Sequence, residues 1–377
     1  MNVIFTCGGT GGHINPAIAV ANIWKERHPD SNILFIGAMS NMEEKLVPKA
    51  GFPIQTIHAA AFARGISKES LKHNCMAVKL ISKGIKACKK IIKEFNADIV
   101  VGTGGWASFP ALLAARQLKV PVCVHEANAL PGMTTRMVAA WADRILVCFP
   151  ESAGYYKKPE KVEVVGMPVR REFIYTRKEA ARKELGLDER PFIVSAFGSQ
   201  GARAMNEAVG QLLKLEQDAG FPFQHTHAIG SFGMEWMPQY LQKQGVDLSN
   251  VKGVAVQEYI YNMPTLMAAA DIVISRAGAS SCNEIAASGT PCILIPSPNV
   301  TNNHQEKNAR ALEEQGAAVL LLEKDCTAQR LMDEINALLE DKQRYDQMRK
   351  SLQHLAVPDS AERVCKVMEE LIHAADR

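Results

Sequence analysis

The sequence lacks several features that would assign it to a special class of protein. No stretch of the 377 residues approaches the uncharged apolar length that a membrane-spanning helix needs. The first residues, MNVIFTCGG, have no basic region and no separate apolar segment before a cleavage site, so no secretory signal is predicted. The net charge is only +3, which argues against a nucleic-acid-binding protein.

Metal-binding and redox motifs are also missing. The nine cysteines form no Cys-x-x-Cys pair and no Cys/His cluster with zinc spacing, and their number is odd. We therefore expect reduced, mostly buried thiols in a cytoplasmic protein. The chain contains no Asp-x-Asp pair, so the sequence does not require a tightly held divalent metal, and no metal or cofactor is expected.

Short apolar runs alternate with amphipathic stretches along the whole chain. Seven runs between Asn2 and Gly166, and six between Pro191 and Leu322, predict strands. Helices are expected between them, for example over 13–27, 70–95 and 132–141. Buried strands separated by helices are typical of parallel sheets covered on both faces. We therefore expect an α/β protein with two doubly wound Rossmann-like domains that face each other across a cleft.

The domain boundaries follow from where this pattern restarts. Residues 1–165 are expected to form the first domain and residues 166–357 the second, with a polar connector over 170–191. Two more helices are predicted over 341–355 and 359–373, separated at Pro358. The last segment, 358–377, is expected to pack back on the first domain.

Glycine-rich segments follow several predicted strands, at 8–12, 102–105 and 198–201, with Gly278 and Gly289 further on. In doubly wound sheets, ligands bind at the carboxyl ends of strands. GGTGGH at 8–13 is neither a P-loop nor the dinucleotide fingerprint, because Ile14 replaces its third glycine. GTGGWA at 102–107 fits the loose form of that fingerprint, which is a weak signal alone.

Three segments carry polar residues where a loop enters a helix. Ser199, beside Gly198 and Gly201, predicts a phosphate site, or else an ordinary turn that Ser199 caps. Glu284 either completes a capping box with Ser281 or binds the vicinal hydroxyls of a ribose. The group His304, Gln305 and Asn308 suits sugar hydroxyls or a solvated helix start.

A histidine also stands where the first glycine loop enters its helix. His13 is a candidate general base, because a helix N-terminus lowers the pKa of an imidazole. A capping or packing role is the alternative. Asp98, Glu126 and Asn128 are further polar candidates beside strand ends.

Seven segments occur in the order and approximate spacing found in one known family: GGTGGHINPAIAVA, GTGGWASFPALLAA, HEANALPGMTTRM, VVGMPVR, GSQGARAMN, RAGASSCNEIAASGTPCILIP and NNHQEKNA. The chain resembles the MurG family over residues 3 to about 320. These bacterial enzymes of peptidoglycan synthesis have a GT-B fold. They transfer N-acetylglucosamine (GlcNAc) from UDP-GlcNAc to the undecaprenyl-pyrophosphoryl muramyl pentapeptide (lipid I), which gives lipid II.

The resemblance implies a set of site residues. The donor would lie mainly on the second domain and the acceptor on the first. The implied contacts are Ser199, Gln200 and Gly201 for the diphosphate, Arg170 and Ile260 for the uracil, Glu284 for the ribose, and Ala279, Ser280, Ser281, Cys282 and Asn283 for diphosphate and sugar. His304, Gln305 and Asn308 would face the sugar, as would Asn128 from the other domain. Thr10, Gly11, Gly12 and His13 would meet the acceptor. Four positions depart from the family pattern, namely Ala127, Thr135, Met167 and Phe197.

The implied reaction is an attack of the acceptor C4 hydroxyl on the anomeric carbon, with inversion, a base such as His13, and helix dipoles that stabilise UDP. A lipid-linked acceptor also gives a use to a basic stretch, in which nine Lys or Arg lie between Arg64 and Lys93 against one acid, Glu69. We expect it to bind the anionic cytoplasmic face of the cell membrane peripherally. The expected patch is Phe62, Arg64, Lys68, Lys72, Lys79, Lys83 and Lys86.

Three other functions remain open at this stage. A related transferase or epimerase would use a UDP-sugar with another acceptor, such as diacylglycerol. A two-domain oxidoreductase would need the dinucleotide fingerprint after the first strand, where it is absent. A sugar-nucleotide sensor would bind the donor without transfer.

Overall fold

The computed structural model describes residues 1–60, 67–128, 130–249, 251–300 and 303–375. The chain divides into two compact units. Unit 1 comprises Met1–Arg170 and Val357–Arg377, and unit 2 comprises Arg171–Ala356. Each unit is built on one parallel sheet with helices on its faces.

Unit 1 contains a seven-stranded sheet within the described residues, in the order β3-β2-β1-β4-β5-β6-β7. Its strands are β1 (Asn2–Thr6), β2 (Asn32–Ala38), β3 (Ile54–Ile57), β4 (Ile99–Gly102), β5 (Val122–Glu126), β6 (Arg144–Val147) and β7 (Val162–Val164). Its first five helices are α1 (Gly11–Arg27), α2 (Glu43–Lys49), α3 (Lys68–Phe95), α4 (Ser108–Gln117) and α5 (Met133–Ala139).

Unit 2 contains a six-stranded sheet in the described part of the chain, in the order β10-β9-β8-β11-β12-β13. Its strands are β8 (Phe192–Ala196), β9 (Gln224–Ala228), β10 (Val254–Gln257), β11 (Ile272–Ser275), β12 (Cys292–Leu294) and β13 (Val319–Leu320). Its helices are α6 (Glu172–Tyr175), α7 (Lys178–Glu184), α8 (Arg203–Asp218), α9 (Met237–Lys243), α10 (Met263–Ala269), α11 (Ala279–Ser288), α12 (His304–Glu314), α13 (Ala328–Glu340) and α14 (Lys342–Leu355). All the predicted apolar runs contain a strand, and the predicted α/β class is confirmed.

The last helix, α15 (Ser360–Ala375), belongs to unit 1. Met368 and Cys365 are fully buried, and the Cys365 thiol lies 3.8 Å from the Val20 carbonyl of α1. At the surface, Glu369 pairs with Arg27 and His28 at 2.9 and 2.8 Å. The helix therefore completes the apolar layer over one face of the first sheet.

The segment expected as a polar connector, 170–191, contains the helices α6 and α7, which pack on the core of unit 2. Phe173 in α6 is 2% exposed, and Ala181 in α7 is fully buried in the core of unit 2. Lys178 and Arg182 both bond the carboxylate of Asp271, at 2.5 and 3.1 Å. The many charged residues made the segment look like a solvated connector, but α7 is amphipathic and its cations pair with Asp271, about 90 residues along the chain.

Two of the candidate residues, Gly289 and Asp98, lie at the amino ends of strands, opposite the carboxyl edge where ligands bind. Gly289 follows α11 with φ +63°, as a left-handed residue that ends a helix, and precedes β12. Asp98 precedes β4 and accepts a hydrogen bond from the Asn2 backbone N–H at 2.7 Å. Both are therefore structural and distant from the ligand edge.

Candidate functional site

The remaining glycine loops lie where the strand order of each sheet reverses. In unit 1 the reversal falls between the neighbours β1 and β4, which lead into the loops 7–10 and 103–107. In unit 2 it falls between β8 and β11, which lead into the loops 197–202 and 276–278. Crevices at such points are the usual ligand sites of doubly wound sheets. Each unit thus has one candidate site.

In unit 1 the two loops pack backbone against backbone. Gly105 has φ +84°, and a Cβ added there would lie 2.2 Å from the Gly8 carbonyl oxygen. A Cβ at Gly8 would lie 2.5 Å from that of Ala107. The loose GTGGWA motif therefore serves close packing between loops. Beyond this contact, the N–H groups of Gly11 and Gly12 begin α1, where a helix has no internal partner for them.

His13 lies in the first turn of α1, next to this contact. Its Nδ1 is 3.3 Å from the Gly8 carbonyl and 3.3 Å from the Thr10 hydroxyl. A Cβ at Gly104 would be 2.7 Å from the imidazole, so that glycine makes room for the ring. Burial lowers the pKa of His13, and the Glu126 carboxylate and the Gly8 carbonyl oppose this. The ring is therefore neutral near pH 7, with Nδ1–H donated towards Gly8 and the lone pair on Nε2.

The Glu126 carboxylate organises the loop that follows β5. Oε1 accepts from the backbone N–H and the side-chain amide of Asn128, at 3.0 and 2.9 Å. Oε2 accepts from the Gly132 N–H at 2.9 Å. Glu126 is 4% exposed, so it acts as a clamp and presents little surface to a ligand. Asn128 remains partly exposed beside it.

Glu43 is a buried carboxylate that the sequence analysis did not identify. It is fully buried beneath the first glycine loop, where Oε2 accepts from the Gly9 N–H at 3.3 Å and Oε1 from the Ala38 N–H at 2.9 Å. One N–H of the loop is thus engaged from below. An anion would have to use those of Gly11 and Gly12.

In unit 2, the loop after β8 is paired with the loop after β9. The carbonyls of Ser199 and Gln200 accept from the N–H groups of Ser231 and Phe232, at 3.1 and 3.2 Å. Gly201 has φ +79°, and a Cβ there would lie 2.0 Å from the Ile229 carbonyl oxygen. Ser199 does not cap α8, because that helix begins at Arg203 after Ala202. Its hydroxyl is therefore not used as a helix cap.

Helix α11 begins at Ala279, after Gly278. Glu284 therefore falls in the second turn, so of its two alternative roles the capping box with Ser281 is wrong. Glu284 is 9% exposed, with the Ser280 hydroxyl 3.4 Å from Oε1. Cys282 is 5% exposed in the core, and burial raises the pKa of its thiol to about 12.

The other residues expected at the donor site differ in how they are held. Gln305 accepts from the Ser297 N–H at 2.9 Å, and Asn308 donates to the Ala277 carbonyl at 3.0 Å. Within α11, Asn283 donates to the Ala279 carbonyl at 2.8 Å. Ile260 is 3% exposed, so it is almost fully buried. His304, the first residue of α12, and Arg170, at the end of unit 1, are half-buried.

All four departures from the family pattern are buried, namely Ala127, Thr135, Met167 and Phe197. The Phe197 ring contacts an aromatic ring and a cation: its centroid lies 6.0 Å from the His227 ring centroid and 5.9 Å from the Arg276 guanidinium. Arg276 in turn donates to the Ile295 carbonyl at 3.0 Å and pairs with Glu323. The Phe197 side chain therefore fills the core beneath the 198–201 turn.

The expected membrane patch lies in part on α3. Phe62 and Arg64 are outside the described residues, and Lys68 is the first residue of the helix. The other four members are exposed, namely Lys72, Lys79, Lys83 and Lys86. At about 100° per residue they fall within about 60° of one another, on the side opposite the buried Ala77 and Cys88. No helix within the described ranges is both long and apolar enough to cross a membrane.

The chain is similar to known proteins over nearly its whole length. Residues 3–147 match the glycosyltransferase family 28 N-terminal domain, and residues 192–364 match its C-terminal domain. The chain is 40% identical to the UDP-N-acetylglucosamine–N-acetylmuramyl-(pentapeptide) pyrophosphoryl-undecaprenol N-acetylglucosamine transferase of Acetivibrio thermocellus, over 99% of this chain and 98% of that protein.

Solved structures give the same fold. MurG of Acinetobacter baumannii is 25% identical, with a TM-score of 0.67 over 98% of this chain and 99% of that one. The UDP-GlcNAc 2-epimerase of Neisseria meningitidis, solved with UDP-GlcNAc bound, has a TM-score of 0.66 at 15% identity, over 98% and 100%. The epimerase likeness shows the fold alone.

Proposed function

The chain belongs to glycosyltransferase family 28, and we propose that it transfers GlcNAc from UDP-GlcNAc to the undecaprenyl-pyrophosphoryl muramyl pentapeptide, forming lipid II of peptidoglycan synthesis. The near full-length similarity to a transferase of that name carries the proposal. It also disfavours the oxidoreductase and sensor alternatives, because that relative is named as a transferase and both matched domains are those of a glycosyltransferase family.

The donor is proposed to bind unit 2. The first-turn N–H groups of α8 and α11, on the neighbouring strands β8 and β11, would face the diphosphate together with the Ser199 hydroxyl. Glu284 would accept from the ribose hydroxyls, and Ile260 would contact the uracil together with Arg170, the residue directly before unit 2 in the chain. His304, Gln305 and Asn308 would then meet the sugar. The helix dipoles and hydrogen bonds at the diphosphate would stabilise the negative charge that develops on UDP as it leaves.

The acceptor is proposed to bind unit 1. The N–H groups of Gly11 and Gly12 would hold its diphosphate, and His13 Nε2 would take the proton of its C4 hydroxyl. The hydroxyl oxygen forms a bond to the anomeric carbon while the bond from that carbon to the UDP oxygen breaks, so the configuration inverts. Asn128, held by Glu126, would orient sugar hydroxyls.

The four exposed lysines on one side of α3, Lys72, Lys79, Lys83 and Lys86, are proposed to bind the anionic membrane surface in which a lipid-linked acceptor is anchored. Leu71 and Met76 are large apolar residues of the same helix, 66% and 55% exposed, that would enter the interface. Each surface cation contributes about 1 kcal/mol to binding an anionic bilayer. The enzyme would therefore be peripheral.

Transfer of labelled GlcNAc tests the proposal directly. The purified chain is given UDP-GlcNAc and the lipid-linked muramyl pentapeptide, with diacylglycerol and no acceptor as controls. We expect label only in the muramyl lipid. Label in diacylglycerol would keep the donor site and reassign the acceptor, and UDP-GlcNAc binding without transfer would favour a sensor.

A further inference from the structure

A buried polar cluster lies beneath the 198–201 turn of the proposed donor site, and none of its side chains is among the proposed donor contacts. Strand β9 has the sequence QHTHA, although it lies inside the sheet between β8 and β10. Its two histidines, His225 and His227, are fully buried, as are Ser195 of β8 and Glu216 of α8. Such residues are costly in an interior strand unless they bond one another.

The four side chains form one continuous hydrogen-bonded chain. The Ser195 hydroxyl is 2.8 Å from His225 Nε2 and 2.8 Å from His227 Nδ1. Because His227 Nδ1 is also 3.2 Å from the Ser195 carbonyl, which can only accept, this nitrogen carries the proton. Ser195 therefore donates to His225 Nε2.

The other end of the chain runs to a carboxylate. His225 Nδ1 donates to Glu216 Oε1 at 2.9 Å. One direction of donation thus satisfies every contact, from His227 through Ser195 and His225 to Glu216. Burial, followed by the neighbouring His225, lowers the pKa of His227 to about 3, so His227 is neutral at physiological pH.

Ser195, His225 and Glu216 are hydrogen-bonded in the same sequence as the residues of a hydrolase triad, but a substrate could not reach the serine. None of the four side chains is exposed to solvent. The chain of bonds instead joins three elements, β8, β9 and α8. Strands β8 and β9 lead directly into two loops that hydrogen-bond each other at the proposed diphosphate site.

The bonded chain fixes the elements that carry those loops. Ser195 and His227 are direct partners in the β8–β9 register. Two residues beyond Ser195, Phe197 packs on the His227 ring and leads into Gly198. Beyond β9, Ser231 donates to the Ser199 carbonyl at 3.1 Å. At the start of α8, Asn206 donates to the Ile229 carbonyl at 2.7 Å.

We propose that Ser195, His225, His227 and Glu216 are positioning residues for the 198–201 turn, and that they set the affinity for the diphosphate of the donor without touching it. The inference rests on the proposed donor site in unit 2. A turn that is already rigid loses little conformational entropy when the diphosphate binds. A variant that loosens the cluster should therefore weaken donor binding more than it slows the chemical step.

Ser195→Ala removes only the central hydroxyl. We expect the Kd for UDP, measured by calorimetry, and the KM for UDP-GlcNAc to rise about tenfold, which is about 1.4 kcal/mol. The kcat and the acceptor KM should stay within about twofold. His227→Asn keeps a donor near the Nδ1 position and should stay within about threefold of the wild type in Kd.

The matched control is Thr290→Val, which removes another buried hydroxyl of unit 2. Thr290 is 4% exposed and donates to the Met267 carbonyl at 2.9 Å, before β12 at the other edge of the sheet. It should lower the melting temperature and leave the UDP affinity unchanged. If Ser195→Ala does the same, the cluster is merely structural and the inference is wrong. A wild-type chain that does not bind UDP would overturn the donor site itself.

Discussion

The local surroundings of His13 suit a base better than its position in the sequence alone suggested. A helix N-terminus lowers the pKa of an imidazole, but burial is the main cause here. The Gly8 carbonyl fixes the tautomer, and the missing side chain at Gly104 gives the ring its space. The two glycine motifs of unit 1 therefore act together on one side chain.

His13→Ala is expected to lower kcat by at least about a hundredfold, because general-base catalysis usually contributes that much. The Kd for UDP should stay unchanged, since the donor is proposed to bind unit 2. Steady-state transfer assays and calorimetry measure both. A loss below about tenfold would remove His13 from the base role.

The pH dependence of transfer follows from the lowered pKa of His13. A base works when it is unprotonated, and a pKa below the ordinary 6.5 means that more than half of the rings are neutral at pH 6.5. We expect the midpoint of the acidic fall in kcat/KM to lie below pH 6.5. A midpoint at or above pH 6.5 would contradict this.

Hydrogen bonds between residues far apart in the sequence could not be predicted. Glu43 bonds Gly9, 34 positions away, and starts α2, a helix between two predicted strands whose bounds the sequence pattern did not define. A surface carboxylate would give the same local pattern. His13, Ser199 and Glu284 could be proposed because each follows a strand and a glycine, which is a local signal.

At the scale of elements, close loop contact matters more than glycine flexibility. Gly105 and Gly51 have nearly the same φ, +84° and +85°, but only Gly105 faces a carbonyl oxygen 2.2 Å from its missing Cβ. A Cβ at Gly51 would meet nothing within 4 Å. The pair therefore separates backbone strain from steric contact.

We expect Gly105→Ala to reduce transfer at least about tenfold and to lower the melting temperature clearly more than Gly51→Ala does. The reason is that the β1 and β4 loops must separate, which displaces His13, whereas Gly51→Ala adds only the cost of a positive φ. Thermal melts and transfer assays on both variants test this. Equal effects would mean that the loop contact is unimportant.

Charge reversal on α3 tests the membrane proposal. The triple variant Lys79→Glu/Lys83→Glu/Lys86→Glu should lower binding to vesicles containing phosphatidylglycerol by at least about a hundredfold, at about 1 kcal/mol per cation. The matched control is Lys183→Glu/Lys243→Glu/Lys252→Glu, three exposed lysines of unit 2 with the same charge change. Equal losses in a sedimentation assay would indicate a non-specific charge effect.

Strands were predictable where helix ends were not. Runs such as ILFI and IVIS are rich in β-branched residues, buried on both faces and bounded by loop residues, so the pattern has one good solution. In α11, by contrast, Ser280 and Ser281 resemble helix caps in the sequence. Extended backbone at Gly278 begins the helix ahead of them, and small residues allow this.

At the scale of the whole molecule, the chain returns to the sheet where it began. Residues near 365 pack on residues near 20, so unit 1 is complete only when both ends of the chain are in place. The amphipathic pattern of α15 predicts a helix with one buried face. It gives no information on which sheet that face covers.

Met368→Ala tests the dependence of unit 1 on α15. Met368 is fully buried in the core of that unit, so truncation should cost about 2–5 kcal/mol and lower the melting temperature by at least about 4 °C. Lys366→Ala, at an exposed position of the same helix, should change stability by less than about 0.5 kcal/mol. Below the melting transition the UDP affinity of Met368→Ala should equal that of the wild type, because the donor is proposed to bind unit 2. A weakened UDP affinity in the folded variant would mean that α15 supports the donor site as well, and stability and binding would then not divide between the two units as proposed.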